Sequence, residues 1–179
     1  MKVPKDRIAV LIGVEGSTKD ELAKETKCRV KIDSEEGEVT IYGSDALNLY
    51  ILREVIKAIG RGFNPDIAKL LLNQNYLLEI IQLNDYSRET RHQARLKGRV
   101  IGEGGKARRT IEDLTGCYIS VYGKTISIIG TAEALTPCKR AVENLLNGSP
   151  HSVVYRGLER QRKVLKQKAV EEEFGSARI

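Results

Sequence analysis

The feature that most restricts the fold is a repeat. Shifting the sequence by 89 residues places Gly13 on Gly102, Gly16 on Gly105, Leu22 on Ile111, Thr26 on Thr115, Cys28 on Cys117, Val30 on Ile119 and Ile32 on Val121, with no gap. A shift of 87 then places Val39 on Ile126, Ile41 on Ile128, Gly43 on Gly130, Val55 on Val142 and Ile59 on Leu146. The copies therefore differ in length only in the hairpin between those blocks, which is two residues longer in the first. A 179-residue chain that carries one pattern twice is expected to form two small units with the same order of elements.

Each copy turns on a Gly-x-x-Gly segment, Gly13-Val14-Glu15-Gly16 and Gly102-Glu103-Gly104-Gly105. Two glycines flanking two residues let the backbone turn sharply and approach another backbone closely. In the first copy an apolar segment, Arg7 to Ile12, precedes the turn, and Ser17 or Thr18 is expected to cap a helix carrying Asp20 and Glu21 in its first turn. Arg29 to Asp33 and Glu38 to Tyr42 alternate with period two and read as a hairpin. A helix capped by Ser44 or Asp45 follows, with Leu47, Ile51, Leu52, Val55, Ile56 and Ile59 at helical spacing, ending near Gly60-Arg-Gly62. Asn64-Pro65 starts a short connecting helix.

The second copy opens on a strand, Tyr76 to Leu83, then a basic helix, Arg88 to Leu96. Lys106 to Leu114 forms the helix after the turn, and Cys117 to Tyr122 pairs with Lys124 to Ile129 around Gly123. The last helix begins at Thr131 or Ala132, with Leu135, Cys138, Val142, Leu145 and Leu146 inward, and Asn147 to Pro150 closes the unit. His151 to Phe174 is expected to be one more helix, packed by an edge of Val154, Leu158 and Leu165, basic from Arg156 through Lys168 and acidic at Glu171-Glu-Glu173.

Charge separates the two copies. Arg88 to Arg109 holds eight basic residues (Arg88, Arg91, Arg95, Lys97, Arg99, Lys106, Arg108, Arg109) against Glu89 and Glu103, a net +6 equal to that of the whole chain. Asp6 to Thr26, around the first turn, holds three basic and five acidic residues, a net −2. Cations at the start of a helix oppose its dipole, so Lys106, Arg108 and Arg109 are easier to understand if an anion binds beside them. The three cysteines have no C-x-x-C spacing and read as buried core, with neither a disulfide framework nor a zinc site. No apolar run reaches a membrane span and no signal peptide is evident, so a cytoplasmic protein is expected.

Val100-Ile-Gly-Glu-Gly-Gly-Lys106, Ile111, Leu114-Thr-Gly116 and the hairpin-then-helix order closely resemble a K-homology (KH) domain, and Leu11-Ile-Gly-Val-Glu-Gly16, Leu22 and Val30-Lys-Ile32 resemble a diverged one. The order matches the type I arrangement, β-α-α-β-β-α. The expected class is α+β: two tandem type I KH domains, each a three-stranded antiparallel sheet with helices on one face, at 1–63 and 76–150. A linker helix at 64–75 joins them, and a C-terminal helical tail spans 151–179. Ile59-Gly-Arg-Gly-Phe-Asn-Pro65 and Gly148 to Tyr155 also resemble the archaeal relatives of the partner-of-Nob-one (Dim-two) family.

That resemblance implies a non-catalytic factor of small-subunit ribosome assembly that binds single-stranded RNA near the 3′ end of the small-subunit rRNA and needs no cofactor. It suggests the rRNA-processing endonuclease, or the alpha subunit of initiation factor two, as protein partners. By the clamp mode of KH loops, the expected RNA site is Arg99, Val100, Ile101, Gly102, Glu103, Gly104, Gly105, Lys106, Arg108 and Arg109, with Ile111, Ile119 and Val121 walling an apolar groove. Gly13, Val14, Glu15 and Gly16 are expected to form a weaker or purely structural loop, the first unit acting mainly as a scaffold or protein-docking surface. Both loops depart from the family in carrying an acid, Glu15 or Glu103, where a basic residue is usual.

Other readings lack parts. Gly102, Gly104 and Ala107 match a dinucleotide fingerprint, but residues 117 to 130 contain no acid to hold a ribose. A phosphate-binding P-loop would need glycine at Val100 and a hydroxyl at Ala107. His92 and His151 are the only histidines and have no repeated carboxylate motif beside them. A protein-only adaptor with degenerate KH units, and a KH subunit of an RNA-degrading complex, remain as alternatives.

Overall fold

The computed structural model describes the backbone of residues 1–175 and the side chains of residues 1–167. The first unit runs α1 (Lys5–Ile12), α2 (Ser17–Thr26), β1 (Arg29–Asp33), β2 (Glu38–Tyr42) and α3 (Ala46–Gly60). A connector of α4 (Pro65–Ala68) and a 3-10 turn (Lys69–Leu72) leads to the second unit. That unit runs β3 (Tyr76–Gln82), α5 (Thr90–Ile101), α6 (Lys106–Thr115), β4 (Tyr118–Tyr122), β5 (Thr125–Thr131) and α7 (Ala132–Leu146), and α8 (His151–Gly175) follows. No described helix is long and apolar enough to cross a membrane.

The second unit is the expected β-α-α-β-β-α, with an antiparallel sheet in the order β3-β5-β4. The first keeps only two paired strands. Its third is reduced to the stretch before Pro4, where Met1 and Val39 exchange backbone bonds of 2.8 Å, Lys2 bridges Glu38, and the Val3 amide donates to the Gly37 carbonyl at 2.9 Å. Pro4 has no amide to continue the ladder and instead stands at the N-cap of α1. The segment expected only as apolar, Arg7 to Ile12, is thus most of a helix that buries Ile8 and Leu11.

Local chemistry sets the other ends. The Asp45 carboxylate accepts from the Leu47 and Asn48 amides at 2.7 and 3.1 Å and caps α3. Its buried stripe is Leu52, Val55, Ile56 and Ile59, whereas Leu47 faces outward. Asn64 accepts from the Asp66 amide at 3.0 Å and Pro65 takes the first position of α4. The helix α2 departs from expectation: Gly16, left-handed at φ 84°, is its N-cap, and no side chain of Ser17 or Thr18 caps it. The basic helix also lies later than expected, at Thr90–Ile101, with Arg88 ahead of it. The two hairpins account for the change of register, Asp33 facing Glu38 across four turn residues and Tyr122 facing Thr125 across Gly123-Lys124.

The sheet of the second unit is buried on both faces. Ile81, Ile119, Ile126 and Ile128 join α5, α6 and α7 in one core. On the opposite face Ile129, with the half-buried Tyr76 and Leu78, belongs to the core of the first unit, together with Ile59, Phe63, Ala68 and Leu71. The central strand β5 accordingly buries every residue from Thr125 to Gly130. Polar contacts fix the same junction: Ser120 Oγ donates to the Arg61 carbonyl at 2.9 Å and the Tyr122 hydroxyl donates to the Asp6 carboxylate at 2.6 Å. Gly62, at φ 97°, lies so close to β4 that a Cβ would stand 2.7 Å from Ser120 Oγ and 2.8 Å from Tyr122 Cβ.

All three cysteines are buried thiols. Cys28 and Cys117 each fill the space left by the missing Cβ of a glycine, Gly43 just after β2 and Gly130 near the end of β5. In the tail, Val154 and Leu158 pack on the second core while Leu165, expected to join them, is 48% exposed. Lys168 and Glu171-Glu-Glu173 lie beyond the described side chains.

Candidate nucleic-acid interface

The two glycine turns have the same backbone. Gly13 and Gly102 stand at φ/ψ of 76°/178° and 72°/174°, Glu15 and Gly104 at 52°/25° and 54°/21°, and Gly16 and Gly105 at 84°/5° and 79°/11°. The first glycine of each turn is obligatory, because a Cβ would lie 2.4 Å from Thr18 Oγ1 in one copy and 2.6 Å from Ala107 Cβ in the other. Gly104 has open space around it, and in the first copy Glu15 holds the same left-handed conformation with a side chain attached. Neither α2 nor α6 has a side-chain cap, so each presents uncapped helix amides beside its turn.

What stands over those amides differs. Arg109, one turn into α6, places Nη1 3.7 Å from where a Gly105 Cβ would be, and its Nη2 donates to the Gly104 carbonyl at 2.7 Å. Asp20, the equivalent residue of α2, places a carboxylate oxygen 3.6 Å from the corresponding point on Gly16. The neighbouring cation of the first copy, Lys19, pairs with that same Asp20 at 3.4 Å. The second turn therefore carries a guanidinium where the first carries a carboxylate. Lys106 and Glu103 are exposed beside the second turn, and Val14, 83% exposed, stands in the first.

Not every expected cation is free. Arg99 is committed to the fold, its Nε donating to the Leu145 carbonyl at 2.9 Å and its Nη2 to the Ser149 carbonyl at 2.7 Å. It ties the end of α7 and the loop after it to α5, and the Nε–Nη2 side of its guanidinium is thereby taken. His151 adds to this knot, its Nε2 donating to the Arg99 carbonyl at 2.8 Å. Arg7 does in the first unit what Arg99 does in the second, reaching the Ile59 and Phe63 carbonyls at 2.8 and 2.5 Å. Arg108 is half-buried and leans on Glu112 at 3.7 Å.

The groove is narrower than its expected lining. Val100 and Ile111 are fully buried and Ile119 is 3% exposed, so these three belong to the core. Ile101, 36% exposed, and the half-buried Val121 remain as apolar surface. Lys97 lies one helical turn before Ile101 on the same side of α5 and donates to the Gly123 carbonyl at 3.3 Å, which draws the β4–β5 turn toward that side. Val121 itself lies on β4, the outer strand of its sheet, which has a free edge. One amide of that edge is already taken, Ile119 N–H donating to Glu112 Oε1 at 2.7 Å. Lys97, Gly123 and Glu112 flank this surface without standing among the expected site residues, since their contacts join positions 7 to 26 residues apart.

Comparison with known proteins agrees with this architecture. Residues 77–163 match the family model described as "Eukaryotic type KH-domain (KH-domain type I)", and residues 1–58 match the model of the KH domain. A KH domain-containing protein of Methanocaldococcus jannaschii is 47% identical over 171 residues, covering 93% of this chain and 75% of the relative. The crystal structure of an a/eIF2alpha–aDim2p–rRNA complex from Pyrococcus horikoshii OT3 matches with TM-score 0.85 and 48% identity over 91% of this chain and 92% of that one. RNA-binding protein pno1 of Drosophila pseudoobscura pseudoobscura is 34% identical over 116 residues, 64% of this chain and 49% of its own length. The chain is a member of the Dim2p/PNO1 family of tandem KH-domain RNA-binding proteins.

Proposed function

We propose that the chain is a non-catalytic factor of small-subunit ribosome assembly that clamps single-stranded RNA from the 3′ end region of small-subunit rRNA in its second KH unit. The observation that carries this reading is the guanidinium of Arg109 held over the second glycine turn, beside the exposed Lys106 and uncapped helix amides. A sugar-phosphate backbone laid against Gly102-Glu103-Gly104-Gly105 meets amide donors and two cations, while Ile101 and Val121 offer apolar surface to the bases. Glu103 is exposed beside the turn and is opposed by Lys106 and Arg109. The first turn has the same backbone with Glu15 and Asp20 beside it, a poor place for phosphate.

The relative from Pyrococcus horikoshii has been crystallised with a/eIF2alpha and rRNA. We take the same two classes of partner for this chain, with the endonuclease that matures the rRNA 3′ end as a further protein candidate. The acidic first turn favours a protein-docking role for the first unit and, carried to the whole chain, the adaptor alternative.

The test is binding of the purified chain to a single-stranded RNA of small-subunit rRNA 3′-end sequence and to a scrambled control, each at two salt concentrations. The proposal expects preference for the rRNA sequence and an affinity that falls steeply with salt. Absence of binding at low salt leaves the adaptor reading.

A further inference from the structure

The sheet face that the second unit buries against the first is open in the first unit itself. In the second, Ser120 and Tyr122 of β4 and Ile129 of β5 are turned away from α5 to α7 and covered by the first unit. The corresponding face of the first unit consists of Arg29, Lys31 and Asp33 of β1 and Glu38, Thr40 and Tyr42 of β2, and every one of these residues is exposed. It has no apolar stripe to bury, so it is not a vacant copy of the internal interface.

Its charge is sorted along the strands. At one end Tyr42, 54% exposed, stands directly across from Arg29, and Lys31 stands across from Thr40. Lys27 is exposed just before β1, held in the left-handed region at φ 55°. Arg29, Val30, Lys31 and Tyr42 line one shallow depression. None of Lys27, Arg29 and Lys31 joins an ion pair among the described residues. At the other end Asp33 faces Glu38, with Lys2 bridged to Glu38.

We infer that this face is a second single-stranded RNA contact, in which a base stacks on Tyr42 and the adjoining phosphates lie against Lys27, Arg29 and Lys31. An exposed aromatic ring flanked by unpaired cations on an open sheet is the chemistry by which unpaired nucleotides are held without sequence readout. Asp33 and Glu38 repel a phosphate chain and limit the contact to one or two nucleotides. An acidic protein segment would satisfy the cations but has no general need of an aromatic ring between them, whereas every nucleotide carries a base to stack. The first unit on this reading contributes through its sheet, not through its glycine turn.

The contact is testable separately from the clamp. The full chain carrying Gly104→Asp and Lys106→Glu is titrated with a fluorescent uridine dodecamer at low salt, and the same is done after adding Tyr42→Ala, Tyr42→Phe, or Arg29→Ala with Lys31→Ala. Residual binding is expected in the parent. Tyr42→Ala should weaken it about tenfold, Tyr42→Phe should preserve it, and the double alanine change should flatten the salt dependence by between one and two units of slope. Circular dichroism verifies that each variant is folded. Absence of residual binding, or residual binding indifferent to Tyr42→Ala and to the double change, overturns the inference. Failure of the clamp reading has a different signature: Gly104→Asp with Lys106→Glu would leave the affinity of the wild-type chain unchanged.

Discussion

Asp20 and Arg109 occupy the same place in the two copies and carry opposite charge. Each lies four residues past the second glycine of its turn, with its charged group 3.6 Å (Asp20) or 3.7 Å (Arg109) from the point a Cβ on that glycine would take. The backbones beneath them agree within a few degrees, so the side chain, not the turn, decides whether an anion is welcome. Arg109→Asp is expected to lower affinity for single-stranded RNA about tenfold and to reduce the salt slope by about one unit. Asp20→Arg should leave the affinity of the second unit unaltered. Fluorescence anisotropy at several salt concentrations measures both.

Glu15 holds a left-handed conformation that its counterpart leaves to Gly104. A side chain there costs about 1–2 kcal/mol, partly offset by the lower unfolded-state entropy of a non-glycine residue. Glu15→Gly is therefore expected to stabilise the chain by up to about 1 kcal/mol. Gly102→Ala should do the reverse by more than about 2 kcal/mol, since its Cβ would stand 2.6 Å from Ala107 Cβ. Chemical denaturation of the variants decides both signs.

Arg99 belongs to the basic stretch by sequence and to the fold by geometry, tying α5 to the Leu145 carbonyl of α7 and the Ser149 carbonyl of the loop after it. Arg99→Ala is expected to destabilise the second unit by about 1–3 kcal/mol, because it removes charge-assisted bonds to carbonyls that are half-buried. The variant that still folds should show an unchanged salt slope for RNA. Lys106→Ala should give the opposite pair of results, wild-type stability and a reduced slope.

How much of this was legible in the sequence follows from which interactions are local. The repeat, the type I order, the Asp45 and Asn64 caps and the buried cysteines were all readable, because periodicity and capping chemistry act within a few residues. The charge difference between the copies was readable as a count, and the structure turned it into the exchange of Asp20 for Arg109. Which apolar residues reach the surface is not legible: Val100, Ile111 and Ile119 have the same apolar character as Ile101 and Val121, and only packing separates buried from accessible. The role of Arg99 is hidden for a related reason, since its partners lie 46 and 50 residues away. The missing third strand of the first unit depends on Pro4, which stops the ladder after three residues and caps α1 instead.

Tyr122 links the groove strand to the first unit through Asp6. Burial, and then the bond to that carboxylate, push the Tyr122 hydroxyl above its ordinary value. A raised folded value means that the contribution is complete below the ordinary tyrosine pKa of about 10 and is lost as pH rises through the higher folded value. The wild-type chain should melt above the Tyr122→Phe variant at neutral pH, and the gap should close as pH rises past about 10. Thermal melts across that range test it.

On the proposed function, the second glycine turn and not the first clamps RNA. The direct measurement is the affinity of the full chain for single-stranded RNA of small-subunit rRNA 3′-end sequence, compared between Gly104→Asp with Lys106→Glu and Gly16→Asp with Lys19→Glu. A large loss of affinity is expected for the first pair, leaving only weak residual binding, and near-wild-type affinity for the second. The reverse order, with the change at Gly16 and Lys19 the more damaging, would contradict it.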